Sequence, residues 1–188
     1  MESLVTMKRL LILFLIAALL FCGCGMQQSP ADIAATTLPV WEFTSRICQG
    51  TSLTVTRLVT EEVSCLHDYS LNVRQVKAAE AADLVVISGA GLEEFMEDAL
   101  DAVRDVVDCS AGVELKDMEG HDHHHEHEEE HGHHHEDDPH IWLDPMRAGQ
   151  MAENICIALT ARYPEHEEAF RRSTERLTGE LEELYADG

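Results

Sequence analysis

The sequence predicts an α/β fold, in which a parallel sheet is flanked by helices and followed by a long helix. Short apolar runs bounded by polar turns recur between residues 34 and 109. Helical patterns lie between these runs, and the chain after residue 145 reads as helical. Strands that alternate with helices of about 10 to 12 residues indicate βα units, whose consecutive strands run parallel in one sheet.

Four segments are predicted as strands of this sheet. Residues 53–59 and 84–88 give the strongest signal, because each is a short apolar run with polar residues on both sides. Residues 34–38 and 106–109 give a weaker signal of the same kind.

Helices are predicted between and after the strands, over residues 39–49, 72–82, 92–103, 145–162 and 165–186. The first begins at Pro39 and ends before Gly50, since proline favours the first turn of a helix and glycine its C-terminal end. The second opens at Asn72, a residue type that caps helix N-termini. Pro164 separates the last two helices, because proline interrupts a helical pattern.

Composition excludes some classes of protein. The 188 residues suggest one domain or two very small ones. With 13 Lys and Arg against 36 Asp and Glu, the formal net charge is −23, which opposes binding to the phosphate backbone of nucleic acids. Aromatic residues make up 5% of the chain, too few for a surface that stacks on bases. We therefore expect no nucleic-acid partner.

The N-terminus has the features of an export signal. Lys8 and Arg9 precede an unbroken apolar run over residues 10–21, which is typical of a signal peptide. As a helix this run would be about 18 Å long, well short of a hydrocarbon core of about 30 Å, so a transmembrane anchor is the weaker interpretation. Residues 1–23 are therefore predicted to be a signal peptide.

The residues after the apolar run predict lipidation at Cys24. The sequence FCGCG at positions 21–25 resembles the cleavage site of bacterial lipoproteins, where a small residue precedes the cysteine that receives the lipid. Gly23 precedes Cys24, whereas a bulky phenylalanine precedes the alternative, Cys22. A plain secretory signal with incidental cysteines is the other alternative. Residues 24–36 are predicted to tether the lipid to a folded lobe.

Four further cysteines lie in the predicted mature protein: Cys48, Cys65, Cys109 and Cys156. None has the CxxC spacing of a thiolate zinc site. Outside the cytoplasm disulfides can form, and four cysteines allow three pairings. One pairing, Cys48 with Cys65, would tie the helix before the strand at 53–59 to the loop after it. Buried free thiols are the alternative, and the sequence leaves both open.

A histidine-rich and acidic segment interrupts the predicted lobe. Residues 117–138 contain ten acidic residues, no lysine or arginine, and nine of the 12 histidines. These histidines are His121, His123, His124, His125, His127, His131, His133, His134 and His135. So polar a stretch cannot form a packed core, which predicts a disordered loop. Because imidazole is a good ligand for Zn, Cu and Ni, the segment is predicted to bind divalent metal through many equivalent sets of ligands.

Two histidines outside this segment occupy positions where ligands collect in α/β proteins. His67 lies in CLHDYS, shortly after the predicted strand at 53–59. His140 lies in DPHIWLDP, just before the predicted helix at 145–162. Ligands of open α/β sheets bind at the carboxyl ends of the strands. Position alone does not distinguish such a ligand from an ordinary surface histidine.

Two ordered motifs resemble those of the zinc and manganese solute-binding proteins of bacterial ABC transporters. The first is HDY at residues 67–69, followed by a helix, an ADL strand and a G-x-x-x-E-x-F turn that begins at Gly89. The second is DPHIWLDP at residues 138–145. A histidine-rich loop directly before the second motif is a mark of the zinc-specific branch of that family. The resemblance covers roughly residues 36–187.

The resemblance implies two α/β lobes joined by one long helix, with metal bound in the cleft between them. Carried over by motif, His67 and His140 would be the two ligands from the N-terminal lobe. That lobe would span residues 37–162, and residues 163–188 would begin the connecting helix, with the second lobe absent from this sequence. Because zinc sites normally have four donors, this leaves a half-site. His166, near the start of the connecting helix, is expected at the surface.

The predicted function is the extracytoplasmic capture of divalent metal by the solute-binding component of a metal-uptake ABC transporter. The resemblance implies Zn2+ in preference to Mn2+, an ABC permease as partner, and a lipid-anchored location at the cell surface or in the periplasm. The alternative is a stand-alone zinc buffer or chaperone that acts through the histidine-rich loop. No enzymatic activity is expected, since the resemblance implies capture of metal without bond-making chemistry and the sequence lacks GxSxG.

Overall fold

The computed structural model describes residues 30–61, 66, 69–116 and 137–187. The strands in this part of the chain are β1 (Ile33–Ala35), β2 (Val55–Arg57), β3 (Leu84–Ile87) and β4 (Val106–Asp108). The helices are α1 (Leu38–Ile47), α2 (Val73–Ala81), α3 (Glu97–Leu100), α4 (Pro145–Arg162) and α5 (Glu167–Asp187). Short 3-10 turns precede the last three helices, at Glu94–Met96, Ile141–Leu143 and Pro164–His166.

The four strands pair in parallel, in the order β2-β1-β3-β4. Ile33 of β1 lies opposite Val55 of β2 on one side and Leu84 of β3 on the other. The predicted α/β class with a parallel sheet is therefore confirmed. All strands end at the same edge of the sheet, which we call the carboxyl edge.

Helices cover both faces of the sheet. On one face α1, α4 and α5 pack around a core that includes Ile33 of β1 and Phe170 of α5. On the other face α2 and α3 pack around a smaller core that includes Ala34 and Val85. Neighbouring residues of a strand point to opposite faces, so the three residues of β1 serve both cores. Each of them is fully buried.

The direction of α4 determines where His140 lies. Near the start of α4, the side-chain amide of Gln150 donates a 2.9 Å hydrogen bond to the carbonyl oxygen of Gly112, in the loop after β4. At the end of α4, Nη2 of Arg162 lies 3.7 Å from Oδ1 of Asp83, the residue before β3. The helix thus runs antiparallel to the strands. His140, five residues before α4, therefore lies at the carboxyl edge.

The helix predicted over residues 92–103 is wrong. Residues 89–91 have φ values of 83°, 53° and 80°, so the chain reverses direction after β3. The reversal brings the Glu93 carboxylate back to the N–H groups of Ser88 and Gly89, at 2.7 and 2.9 Å. After this, only a 3-10 turn and the four-residue α3 form.

The predicted start of the lobe at residue 37 is also wrong. β1 occupies Ile33–Ala35, inside the range 24–36 that was predicted to be a tether, and it is an interior strand of the sheet. Its two alanines make this strand hard to recognise, because small residues are also common in linkers. The other predicted domain limits stay predictions. α4 spans the residues predicted for it, and α5 begins two residues after position 165 because a 3-10 turn precedes it.

The described cysteines are free thiols. Cys48 and Cys109 are buried, and Cys156 is half-buried. The possible pairing of Cys48 with Cys65 stays untested, because Cys65 lies outside the described residues. Burial raises the pKa of Cys48 to about 12, and it raises the pKa of Cys109 well above its ordinary value.

The predicted signal peptide at residues 1–23 and the predicted lipidation site at Cys24 lie outside the described residues. Within the described ranges, no helix combines the length and the apolar character needed to span a bilayer.

Candidate metal site

Of the histidines predicted to bind metal, only His140 is in the described part of the chain. His67 and the nine histidines between positions 121 and 135 lie outside it. The structure does describe the residues on either side of His67 and on either side of the histidine-rich segment. Among the described residues, no group of three or more His, Cys, Asp or Glu side chains is placed to hold a metal ion.

His140 is paired with the carboxylate of Asp138. Nδ1 of His140 lies 2.7 Å from Oδ1 of Asp138, and the same oxygen accepts a 2.9 Å hydrogen bond from the backbone N–H of His140. The ring also packs edge-on against Trp142, with 5.3 Å between ring centroids. The His140 side chain is nevertheless 51% exposed, so a solute can reach it.

The DPHIWLDP motif explains why His140 is held in this position. Ile141, directly after the histidine, is buried in the larger core. Asp144 caps α4 by accepting hydrogen bonds from the backbone N–H groups of Met146 and Arg147, at 3.0 and 3.3 Å. The buried Ile141 and the capped start of α4 together hold the backbone of His140 at the carboxyl edge.

The site carries a negative charge beside the imidazole. Hydrogen bonds from the backbone N–H of His140, and then from its ring, hold the pKa of Asp138 below its ordinary value. Asp138 is therefore a carboxylate at neutral pH. An open pocket of about 250 Å³ adjoins the pair and is lined also by Lys116, Leu143 and Tyr185. This pocket therefore places an imidazole, a ring that can ligate metal, beside a carboxylate at a surface that solvent can enter.

The two ends of the histidine-rich segment meet at this pocket. The backbone N–H of Asp138 donates a 2.8 Å hydrogen bond to the carbonyl oxygen of Lys116. Residues 117–136, which lie outside the described residues, are thus inserted between two hydrogen-bonded positions of the folded lobe. Their attachment point is two residues from His140.

The residues that flank His67 form a second polar cluster. The hydroxyl of Tyr69 donates a 2.7 Å hydrogen bond to Oε2 of Glu61, and the side-chain amide of Gln75 donates to the Tyr69 hydroxyl at 2.7 Å. The ring of Tyr69 packs edge-on against Phe95, at 5.5 Å between centroids. The HDY motif and the G-x-x-x-E-x-F turn are therefore in contact. His67, within the bridged loop, remains a predicted ligand only.

Glu93 is the glutamate of the G-x-x-x-E-x-F turn, to which the sequence analysis gave no function, and the structure gives it one. Its carboxylate is 4% exposed and accepts hydrogen bonds from the Thr36 hydroxyl at 2.6 Å and from the N–H groups of Ser88 and Gly89. Glu93 thus joins the ends of β1 and β3 at the carboxyl edge. Burial raises its pKa, and the three hydrogen bonds only partly oppose that shift.

Sequence reasoning also missed the partnership of Asp138 with His140, although a signal for it exists. An aspartate two residues before the residue whose N–H it binds is the pattern of an Asx turn. Asp138-Pro139-His140 has this spacing. The signal for Glu93 is weaker, because a single acidic residue after a strand is usually exposed.

Known proteins resemble this chain in sequence and in fold. A family model described as ZnuA, zinc-uptake complex component A periplasmic, matches residues 33–187. The zinc-binding lipoprotein AdcA of Streptococcus pneumoniae (strain ATCC BAA-255 / R6) is 31% identical over 201 aligned positions, which cover 97% of this chain and 38% of AdcA. The high-affinity zinc uptake system protein ZnuA of Bacillus subtilis (strain 168) is 28% identical over 187 positions, which cover 92% of this chain and 58% of that relative.

The chain spans less than two thirds of the length of either relative. Among solved structures, the Zn(II)-bound ZnuA-like domain of Streptococcus pneumoniae AdcA superposes with a TM-score of 0.66 and 25% identity. That superposition covers 83% of this chain and 53% of the AdcA domain. Given the family match over most of its length and the shared parallel sheet, the chain belongs to the ZnuA family of periplasmic zinc-uptake components.

Proposed function

We propose that this chain captures divalent metal outside the cytoplasm, with Zn2+ as its main cargo, as the solute-binding component of an ABC importer. The family match supports this role, and the names of the relatives, a zinc-binding lipoprotein and a zinc uptake protein, support the choice of zinc. In this proposal His67 and His140 are ligands from the lobe, Cys24 carries a lipid anchor, and an ABC permease receives the metal. No bond-making chemistry is involved.

One observation carries the proposal: His140 is a half-exposed imidazole at the carboxyl edge of a parallel sheet, with an ionised carboxylate beside it and an open pocket in front of it. Ligands of α/β sheets bind at that edge. Imidazole is a ligand that Zn2+ favours, and a nearby negative charge attracts the cation. His140 also stands in the motif by which the chain resembles its family.

The histidine-rich segment has an auxiliary role in this proposal. Nine imidazoles and five carboxylates between positions 121 and 135 would concentrate zinc near the lobe. The hydrogen bond between Lys116 and Asp138 fixes the base of the segment beside the His140 pocket, which favours transfer of ions from one to the other.

A zinc titration tests the proposal. The whole chain and a variant that lacks residues 120–136 would each compete for zinc with a chromophoric chelator. We expect the shortened variant to keep one zinc site, weaker than a four-donor zinc site because His67 and His140 alone form a half-site. That site should be lost in His140→Ala and in His67→Ala.

His166→Ala is the matched control. His166 lies in the 3-10 turn after α4, at the opposite end of that helix from His140, and its ring packs against Phe170. Its removal should leave zinc affinity unchanged. The proposal fails if the shortened chain binds no zinc, or if His140→Ala binds zinc as tightly as the parent.

A stand-alone zinc buffer is the second candidate, favoured by the number of imidazoles in the segment. A buffer predicts that the double variant His67→Ala, His140→Ala of the whole chain keeps both its stoichiometry and its tightest site. An enzyme is not proposed. Residues 127–131 read HEEEH and match the HExxH pattern of zinc proteases, but a run of histidine and glutamate produces this pattern by composition. The family consists of metal-binding transport proteins.

A further inference from the structure

We infer that Asp138 is a positioning residue that sets the tautomer of His140, so that Nε2 rather than Nδ1 is the nitrogen offered to a metal. The inference rests on the proposed role of His140 as a ligand. It adds a residue to the site that coordinates nothing itself and acts only through the ring it holds.

The hydrogen bonds determine which nitrogen carries the proton. An ionised carboxylate can only accept hydrogen bonds. Oδ1 of Asp138 lies 2.7 Å from Nδ1 of His140, so Nδ1 must be the protonated nitrogen for this contact to be favourable. A neutral imidazole has one N–H, which leaves the lone pair on Nε2. Nε2 has no hydrogen-bond partner in the described part of the chain.

The carboxylate of Asp138 is itself held in place, so its position relative to the His140 ring is fixed. Oδ1 also accepts the backbone N–H of His140 at 2.9 Å, which closes an Asx turn around Pro139. The backbone N–H of Asp138 is bonded to Lys116, as described above. The ring of Trp142 packs against the imidazole from another side. Rotation of either side chain would break at least one of these contacts.

This arrangement matches the chemistry that a histidine ligand needs. Ligating histidines commonly donate their second N–H to a carboxylate, which orients the ring and makes the ligating nitrogen more basic. Loss of such a partner typically weakens metal affinity by about 10- to 100-fold. In His140 the partner is in place before any metal arrives, so the ring needs no reorientation on binding.

The tautomer can be measured directly in the metal-free protein. Long-range 1H–15N NMR spectra of the labelled whole chain, at a pH where free imidazole is neutral, distinguish Nδ1–H from Nε2–H. The His140 signal is assigned by its loss in His140→Ala. We expect Nδ1–H in the wild type and a shift toward Nε2–H in Asp138→Ala. Asp138→Asn keeps an acceptor oxygen but lacks the charge, so it should retain Nδ1–H in part.

Asp137→Asn is the matched control for this series. It removes one negative charge from the residue next to Asp138, and the exposed side chain of Asp137 makes no hydrogen bond within the described part of the chain. The His140 tautomer should not change in it. An Nε2–H ring in the wild type, or an unchanged ring in Asp138→Ala, would overturn the inference.

Zinc affinity gives the second measurement, made on the variant that lacks residues 120–136. We expect Asp138→Ala to lose about 10- to 100-fold in affinity and Asp138→Asn to lose less, with unfolding temperatures close to the parent. An affinity that stays constant while the tautomer shifts would overturn the positioning role. If the parent binds no zinc through His140, the proposed function fails, while the tautomer of the metal-free ring still supports or contradicts the action of Asp138.

Discussion

The hydroxyl of Thr36 donates a 2.6 Å hydrogen bond to the buried carboxylate of Glu93, which lies 57 residues later in the chain. The same carboxylate receives the backbone N–H groups that follow β3. One side chain therefore joins the ends of the two interior strands, at the edge of the sheet where His140 lies.

Glu93→Ala should lower the free energy of unfolding by about 2 to 4 kcal/mol. It leaves the buried N–H groups of Ser88 and Gly89 without partners, and each unsatisfied buried group costs about 1 to 3 kcal/mol. Urea unfolding followed by circular dichroism measures the change. The neighbouring Glu94 is exposed, and Glu94→Ala should change stability by less than about 0.5 kcal/mol. Equal effects from both variants would contradict the role given to Glu93.

The stability of the lobe should carry a pH dependence that comes from Glu93. Burial, reinforced by the charge of Asp108, raises the pKa of Glu93 above its ordinary value of 4.5, so the folded state holds this proton more tightly than the unfolded state. By linkage, the contribution of Glu93 to stability is present below pH 4.5 and is lost as the pH rises through the folded-state pKa. Glu93→Gln cannot titrate. The unfolding free energy of the wild type minus that of Glu93→Gln should therefore fall as the pH rises from 4.5 through the raised folded-state pKa of Glu93. A difference that is flat or rises would contradict the shift.

Two glycines with the same backbone conformation should respond differently to alanine. Gly50 and Gly89 have φ values of 84° and 83°, where a Cβ atom costs about 1 to 2 kcal/mol. A Cβ on Gly50 would have no atom within 4 Å, whereas one on Gly89 would collide with the side chains of Asp108 and Ser110. Gly50→Ala should therefore lower the free energy of unfolding only by the cost of the backbone conformation. Gly89→Ala should lower it by at least about 3 kcal/mol, because the collision adds to that cost. Thermal unfolding of the two variants tests this difference, and equal costs would show that the collision is relieved.

Deletion of residues 120–136 should leave the lobe folded. The deletion joins Lys116 to Asp138 through four residues, and these two positions are already hydrogen-bonded at 2.8 Å. We expect an unchanged unfolding temperature, intact zinc binding at His140, and slower zinc uptake by cells when zinc is scarce. Uptake is measured with a strain that carries the shortened gene, and its growth with ample zinc is the control. Unchanged uptake under scarcity would remove the auxiliary role of the segment.

The sequence was sufficient for the fold class, the order of the elements and the position of His140. These depend on strong local signals, such as the apolar run at 84–88 and the Pro at the start of α4. The strand predicted weakly over residues 34–38 overlaps β1 at Ala34 and Ala35 but was placed too late in the chain, because burial on both faces of a sheet favours small residues as well as large ones and two alanines give little signal. A three-residue strand also owes most of its stability to its neighbours.

The contacts at the site were harder to predict than the fold, because most of them join residues that are far apart in the sequence. The carboxylate of Glu93 is stabilised by groups that are distant in sequence or created by a turn with positive φ at Ala90. Such turns in residues other than glycine have little local signal. The contact between Tyr69 and Phe95 likewise depends on how α2 packs next to α3. Only Asp138, two residues from His140, could have been paired from the sequence alone.

The free thiols of the lobe bear on how selective its metal chemistry can be. Thiolate sulfur binds zinc strongly, but a protonated thiol does not. Cys48 and Cys109 are buried, and their pKa values lie far above neutrality, so both stay protonated and closed to ions. The folded lobe therefore keeps two of its softest donors, the thiols of Cys48 and Cys109, away from metal ions. Neither thiol needs an oxidant to reach its folded state, so the maturation of these two residues is independent of the redox potential of the compartment.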